Sequence, residues 1–233
     1  MEKLYKDTNY QIAFYNGKRR AYMNSRALEY AQKHIDYINN HIPDIGLVSF
    51  IINKSDESVD SELVNFINDS DTKFDYEIIL RENKGFSYGA WEEVMRKNYK
   101  DYDYSFIIED DYIPSRPDTL QYFYRKFSQF EDCIYVCSLW VNEHASISNG
   151  MIKTKLFKEP DNLKILKIYS GSNYIQGTHN QRYFMSEFIK KYSFTDITDI
   201  GHTIFYRYTG TGKLRGNNIA FNDSNLPLLL EPI

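Results

Sequence analysis

Cysteine is scarce: Cys133 and Cys137 are the only two among 233 residues. Both fall on a predicted strand, Cys133 to Val141, where four residues span ~13 Å, beyond the reach of a disulfide. They read as reduced core residues rather than as a metal pair. A long apolar run is missing too. No stretch of 18 apolar residues offers a membrane span, and the opening Met1-Glu2-Lys3-Leu4-Tyr5-Lys6-Asp7 lacks the apolar core of a signal peptide. The expectation is a cytoplasmic protein with no membrane span. Positive charge is not in excess: a net charge of −4 gives no electrostatic reason to expect nucleic acid as a partner. There is no Pro- or Ser-rich linker, no internal repeat and no low-complexity tract, so residues 1–233 read as one domain.

That length suffices for a full core in an α/β domain. The 21 Tyr and 15 Phe would mostly supply that core, with some left over as stacking surface for a sugar or base. Hydrophobic patterning predicts alternating elements. A short strand covers Gln11 to Tyr15, and Ser25 is placed to cap a helix with the stripe Leu28, Ala31, Ile35 and Ile38. The near-continuous apolar run Ile45 to Ile52 fits a strand covered on both faces. A short helix at Glu62 to Asn68, a strand at Tyr76 to Leu80, a helix from Tyr88 and a strand into Glu109 follow. A helix over Thr119 to Phe130 carries Leu120, Phe123, Phe127 and Phe130 on one face. Such alternation implies a largely parallel sheet with right-handed crossovers. After Val141 the alternation decays. Strands are predicted at Met151 to Phe157 and at Leu163 to Tyr169, which divides the domain into halves at about 1–141 and 142–233.

The most informative segment is Tyr104 to Pro114, Tyr-Ser-Phe-Ile-Ile-Glu-Asp-Asp-Tyr-Ile-Pro. A strand-like apolar run ends in three carboxylates, at the end of a strand where α/β sheets bind ligands. Adjacent acids disfavour joint ionisation unless a cation compensates them, and oxygen-only ligands suit Mg²⁺ or Mn²⁺. A solvated acidic turn is the alternative reading. Upstream, Glu82-Asn83-Lys84-Gly85-Phe86-Ser87-Tyr88-Gly89-Ala90 is a turn leading into a helix. Gly85 and Gly89 allow close backbone approach, Ser87 is a candidate cap, and the helix start offers N–H groups to an anion.

The order strand, Asn-x-Gly-x-x-x-Gly, helix, strand, acidic cluster resembles nucleotide-sugar-dependent glycosyltransferases of the GT-A fold, closest to the inverting family 2 type. The resemblance covers about residues 10–210. It implies one α/β, Rossmann-like domain with a largely parallel central sheet and a smaller acceptor-side sheet. It implies transfer of a sugar from a nucleotide-sugar to a hydroxyl acceptor, a carbohydrate or glycoconjugate, with Mn²⁺ or Mg²⁺ as cofactor. A UDP-sugar is the favoured donor, with GDP- or dTDP-sugar as alternatives. The Asp-x-Asp-like position is filled by Glu109-Asp110-Asp111, giving Asp111 and Glu109 as metal ligands and Asp110 as a donor contact. Tyr15, Asn16 and Asn53 would line the nucleobase loops, and Asn83 and Gly85 the donor turn. Asp199 takes the place of the catalytic base in a helix opening near Asp196, with Asp196 and Glu143 as competitors; His202 is a possible further ligand.

Thr209-Gly210-Thr211-Gly212-Lys213-Leu214 is not a phosphate loop of the Walker type, because Arg207 stands where glycine is needed and Leu214 where Ser or Thr is needed. Two rival classes remain: a sugar nucleotidyltransferase, whose glycine-rich signature is not present after the first strand, and a non-catalytic sugar- or partner-binding module on the same fold.

Overall fold

The computed structural model describes residues 5–15, 26–54, 57–129, 133–137, 140–141, 144–145, 149–166, 184, 187, 190–196, 205–208, 214–216 and 219–221. Four parallel strands form the heart of it: β1 (Thr8–Tyr15), β2 (Leu47–Asn53), β3 (Tyr76–Arg81) and β4 (Tyr104–Glu109). Their order across the sheet is β3-β2-β1-β4. The connecting helices are α1 (Ala27–His41), α2 (Glu57–Asp69) and α3 (Phe86–Asn98), and α4 (Thr119–Gln129) follows β4.

Strands β1, β2 and β4 are buried on both sides because both faces are covered, and the few polar side chains on them bond to one another, Gln11 to Ser105 and Ser49 to Asn9. On one face Tyr10, Ile12, Phe14, Phe50 and Phe106 pack with Tyr30, Ala31, Ile35 and Ile38 of α1, Leu63 and Ile67 of α2, and Leu120, Phe123 and Phe127 of α4. On the other, Ala13, Ile51 and Ile107 meet Trp91, Val94 and Met95 of α3 together with Phe157, Ile165, Leu166 and Phe184. The chain therefore winds from β1 outward to β3 with α1 and α2 on one face. It then returns past β1 to β4 with α3 on the other. The direction of winding reverses between β1 and β4, and ligands of open α/β sheets bind at the carboxyl ends of the strands at such a point.

The second half of the chain completes this same sheet. Strand β9 (Gly150–Ile152) lies antiparallel to β4 and to β6 (Cys133–Cys137), and β10 (Ser193–Asp196) lies parallel to β6 at the far edge. Immediately after the acidic cluster, β5 (Tyr112–Pro114) leaves for a second, antiparallel sheet with β11 (Phe205–Tyr208), β12 (Leu214–Gly216) and β13 (Ile219–Phe221). The expected α/β class, the largely parallel sheet and the smaller second sheet are all present.

Several local expectations are corrected. The predicted strand Met151 to Phe157 stops after Ile152, and Thr154–Lys158 is a 3-10 helix. The predicted strand from Leu163 is instead the end of a helical turn opened by Pro160, whose fixed φ suits a first helical position. The predicted strand Cys133 to Val141 divides into β6 and β7 (Trp140–Val141), which pairs with β8 (His144–Ala145). Asp196 ends a strand rather than opening a helix, and Phe205–Tyr208 is a strand as well. Ser25, the expected cap of α1, lies outside the described residues.

Candidate active site at the carboxyl end of the sheet

Glu109 is the last residue of β4, and Asp110 and Asp111 form the turn into β5. Three separate elements hold this turn through its backbone. Asn149, at the entry to β9, accepts a hydrogen bond from the Glu109 N–H through Oδ1 at 2.8 Å. The Asp110 N–H donates to the Ala13 carbonyl of β1 at 3.1 Å. The Asp110 carbonyl meets His34 Nε2 of α1 at 3.2 Å. The Asp110 carboxylate turns inward as well, accepting from the Asp111 N–H at 3.0 Å and the Tyr15 N–H at 3.4 Å. Asp110 thus organises the turn, while Glu109 and Asp111 flank it.

The Glu109 carboxylate is half-buried and accepts a hydrogen bond from the Ser87 hydroxyl at 2.9 Å. This corrects the reading of Ser87 as a helix cap: the N-cap of α3 is Gly85, and Ser87 instead couples α3 to β4. Asp111 is 0% exposed. Beside it, Tyr30 on α1 has its phenol pushed up to about 12, chiefly by burial; a hydrogen bond from Arg26 opposes the rise and the charges of Asp111 and Asp110 add to it. Arg26 is the N-cap of α1, so a guanidinium stands at the same end of the helix as these acids.

The turn before α3 is wound tightly. Gly85 has φ 76°, and Phe86 follows at φ 53°, a conformation that costs a bulky residue of the order of 1–3 kcal/mol. Its ring lies 6.0 Å from that of Tyr15, so two half-buried aromatics edge the crevice between β1 and α3. A buried network fixes the turn from behind. Arg81, at the end of β3, donates to the Lys84 carbonyl at 2.9 Å, to Glu93 of α3 at 2.7 Å and to Oδ1 of Asn53. Asn53 in turn donates to the Phe14 carbonyl at 3.1 Å. Both polar ends of Asn53 are thereby engaged inside the protein, and it is 1% exposed. Asn83 is half-buried in the same turn.

A Cβ on Gly89 would sit 1.9 Å from the Lys84 carbonyl oxygen, the group that also accepts from Arg81. Gly89→Ala is expected to lower stability by ~1–3 kcal/mol through overpacking, seen as a fall in Tm of roughly 2–12 °C for a domain of this size. An unchanged Tm would show that the turn yields freely.

His34 makes the site's clearest link to pH. A carbonyl only accepts, so the proton on the ring is at Nε2, and Nδ1 accepts from the Tyr10 hydroxyl at 3.4 Å. Burial lowers its pKa from 6.5 to about 3, against a smaller upward effect of the bond to Asp110. In the unfolded chain it titrates at its ordinary value, so between these limits unfolding takes up a proton. This stability is complete above about pH 6.5 and drains away as the pH falls, at ~1.4 kcal/mol per pH unit. Denaturant melts of wild type and His34→Gln should therefore diverge in slope between about pH 6.5 and 5, before most carboxylates titrate. Parallel slopes would place the imidazole in water.

Of the other expected site residues, Asp196 ends β10. Its register through Cys137 and Gly150 to Ile107 places it three strands from β4, ~14 Å away at the same carboxyl edge of the sheet. Asn16, Glu143, Asp199 and His202 lie outside the described residues. Sequence reading missed His34, Asn149 and Arg81. Of these only Arg81, a charge at the end of an apolar strand, carried a visible signal. No cluster of three or more His, Cys, Asp or Glu among the described residues has the arrangement of a metal site. A cleft of about 600 Å³ lined by Lys6, Asp44, Lys73, Asp75 and Tyr102 among others lies at the opposite, amino ends of the strands. No helix among the described residues is long and apolar enough to cross a membrane.

No protein-family model matches the chain, and no curated protein matches it in sequence. Solved structures do resemble it. A mannosyltransferase from Pyrobaculum calidifontis, in complex with GDP-Man and Mn²⁺, superposes with a TM-score of 0.56 at 11% identity, over 83% of this chain and 55% of that one. TarS from S. aureus gives a TM-score of 0.53 at 11% identity, over 82% of this chain and 58% of that one. A 4-diphosphocytidyl-2C-methyl-D-erythritol synthase from Anaerococcus prevotii gives 0.49 at 7% identity, over 84% and 88%. The chain spans a little over half the length of the first two. At these identities the likeness concerns the fold, and the fold is the GT-A type of nucleotide-sugar glycosyltransferases.

Proposed function

We propose that the protein is a metal-dependent glycosyltransferase that moves a sugar from a nucleotide-sugar to a hydroxyl acceptor, with inversion at the anomeric carbon. The observation that carries this reading is the Glu109–Asp111 turn, fixed from β1, α1 and β9 at the point where the sheet's winding reverses. The donor set fits Mn²⁺ or Mg²⁺. The Asp110 carboxylate accepts from two backbone N–H groups and shapes the turn, and Glu109 and Asp111 on either side of it would serve as ligands. Two carboxylates are what such an ion needs when substrate phosphates and water complete its shell. When bound, the ion supplies Lewis-acid stabilisation of the departing nucleoside diphosphate.

The remaining tasks belong to the chain. Tyr15 and Phe86 edge the crevice in which the donor's base would lie, and the turn at Asn83 and Gly85 faces its diphosphate. Asn53 supports that turn from within rather than touching the donor. Proton removal from the acceptor hydroxyl falls to an acid in the second half of the chain. We assign it to Asp199, three residues after the strand that Asp196 ends, with Asp196 and Glu143 as the alternatives. A UDP-sugar is the favoured donor and GDP- and dTDP-sugars the alternatives; the acceptor is a carbohydrate or glycoconjugate. The two halves of the chain, about 1–141 and 142–233, then serve donor and acceptor in turn.

The test is product analysis with Mn²⁺. A glycosyltransferase given a nucleotide-sugar without acceptor releases free nucleoside diphosphate slowly. A nucleotidyltransferase given nucleoside triphosphate and sugar 1-phosphate releases pyrophosphate instead, and a binding module releases neither. Pyrophosphate release, or no release across UDP-, GDP- and dTDP-sugars, would overturn the proposal.

A further inference from the structure

We propose that His34 is a positioning residue for the acidic turn, holding Asp110 from the far side so that Asp111 is presented at the strand end. The inference rests on the functional reading above only for what the turn binds. Its basis is geometric. His34 is fully buried on α1, and its ring spans from the Tyr10 hydroxyl on β1 to the Asp110 carbonyl between β4 and β5. Tyr10 is itself fixed, its ring packing at 4.8 Å on Phe106 of β4. Because the carbonyl demands a donor, and the Tyr10 hydroxyl can supply one to Nδ1, the ring is held in a single tautomer and orientation.

The groups around the ring explain why a neutral donor stands there. The Asp110 carbonyl meets the ring from the turn and the Tyr10 hydroxyl from β1, while Tyr30, one turn earlier on α1, feels the charges of Asp111 and Asp110. Arg26, Tyr30 and His34 are spaced four apart, so they share one face of α1, where Arg26 bonds to Tyr30 and His34 to the turn. His34 reaches the backbone rather than a carboxylate, and as a neutral donor it adds no positive charge beside Glu109 and Asp111. Releasing the Asp110 carbonyl would free Asp110 to rotate. The Asp111 and Tyr15 N–H groups, which both donate to its carboxylate, would then lose their acceptor.

The experiment is amide hydrogen exchange on full-length wild type, His34→Leu, His34→Gln and Tyr10→Phe, with titration of UDP in Mn²⁺ on the same samples. In His34→Leu the Asp111 and Tyr15 amides should exchange roughly three- to tenfold faster, the scale of one net hydrogen bond. The amide of Ile51, in the centre of β2, should stay unchanged. His34→Gln keeps an N–H donor for the carbonyl and should restore protection. UDP affinity should fall and recover in step. Tyr10→Phe leaves His34 in place but removes the hydrogen bond that orients its Nδ1 edge, and should give an intermediate loss. It carries the test alone if His34→Leu does not fold. Unchanged exchange at Asp111 and Tyr15 in the Leu or Phe variants, or a Gln variant no better than Leu, would overturn the inference. If the exchange pattern holds while wild type binds no nucleotide, the positioning role stands and the glycosyltransferase reading fails.

Discussion

Asp111→Asn is expected to abolish Mn²⁺-dependent binding of nucleoside diphosphate while leaving the protein folded. The substitution keeps the shape of the side chain and removes the charge a hard cation needs. Loss of a supporting partner outside the coordination shell commonly costs 10–100-fold in metal affinity, so loss of a ligand should exceed ~100-fold. Stability should move the other way. Asp111 is buried beside Asp110 and the Tyr30 hydroxyl, and removing one of two neighbouring negative charges relieves repulsion when no cation is bound. A variant that melts at or above the wild-type temperature yet no longer responds to Mn²⁺ and UDP is the expected result, checked by thermal shift and isothermal titration. Retained affinity would assign the metal elsewhere.

Asp199→Asn should reduce the rate of transfer by ~10²–10⁴ with donor binding near wild type, because a base acts only when the acceptor hydroxyl attacks. The same substitution at Asp196 and Glu143 provides the comparison. Asp196 is of special interest, since it closes β10 at the same edge of the sheet as Glu109. Measuring rate and Tm on all three separates chemistry from folding. An acid that merely supports structure would cost ~0.5–2 kcal/mol of stability with the rate per folded molecule kept. If only Asp196→Asn shows the rate loss, the base sits on the strand end and Asp199 does not carry it.

The parallel half of the fold was legible because its signals are local. Continuous apolar runs marked β2 and β4, covered on both faces, and the spacing of Ala31, Ile35 and Ile38 marked the buried stripe of α1. The acidic cluster was legible for the same reason: three carboxylates at the end of an apolar run stand out in sequence. What secures that cluster was not. Asn149 reaches Glu109 only because β9 inserts between β4 and β6, a long-range pairing that three apolar residues after a polar stretch do not announce. His34 lay inside a helical pattern where a polar residue ordinarily faces water. The positive φ of Phe86 occurs in a turn whose Lys84 carbonyl is tied to Arg81, and no preference of phenylalanine foretells it. Beyond Ile152 the expected strands gave way to short helices, where Pro160 sets a helical φ that apolar periodicity alone does not register.

The most direct measurement is equilibrium binding of UDP-, GDP- and dTDP-sugars to wild-type protein in Mn²⁺, in EDTA, and to Asp111→Asn in Mn²⁺. A ligand that binds only the native state raises its stability by about 2.7 kcal/mol at a hundredfold excess over Kd, so thermal shift suffices as the readout. The account predicts that one nucleotide class stabilises the wild type in Mn²⁺, and that both EDTA and Asp111→Asn erase the shift. A nucleotide-sugar shift that survives EDTA and the substitution, or the absence of any shift across the panel, would contradict it.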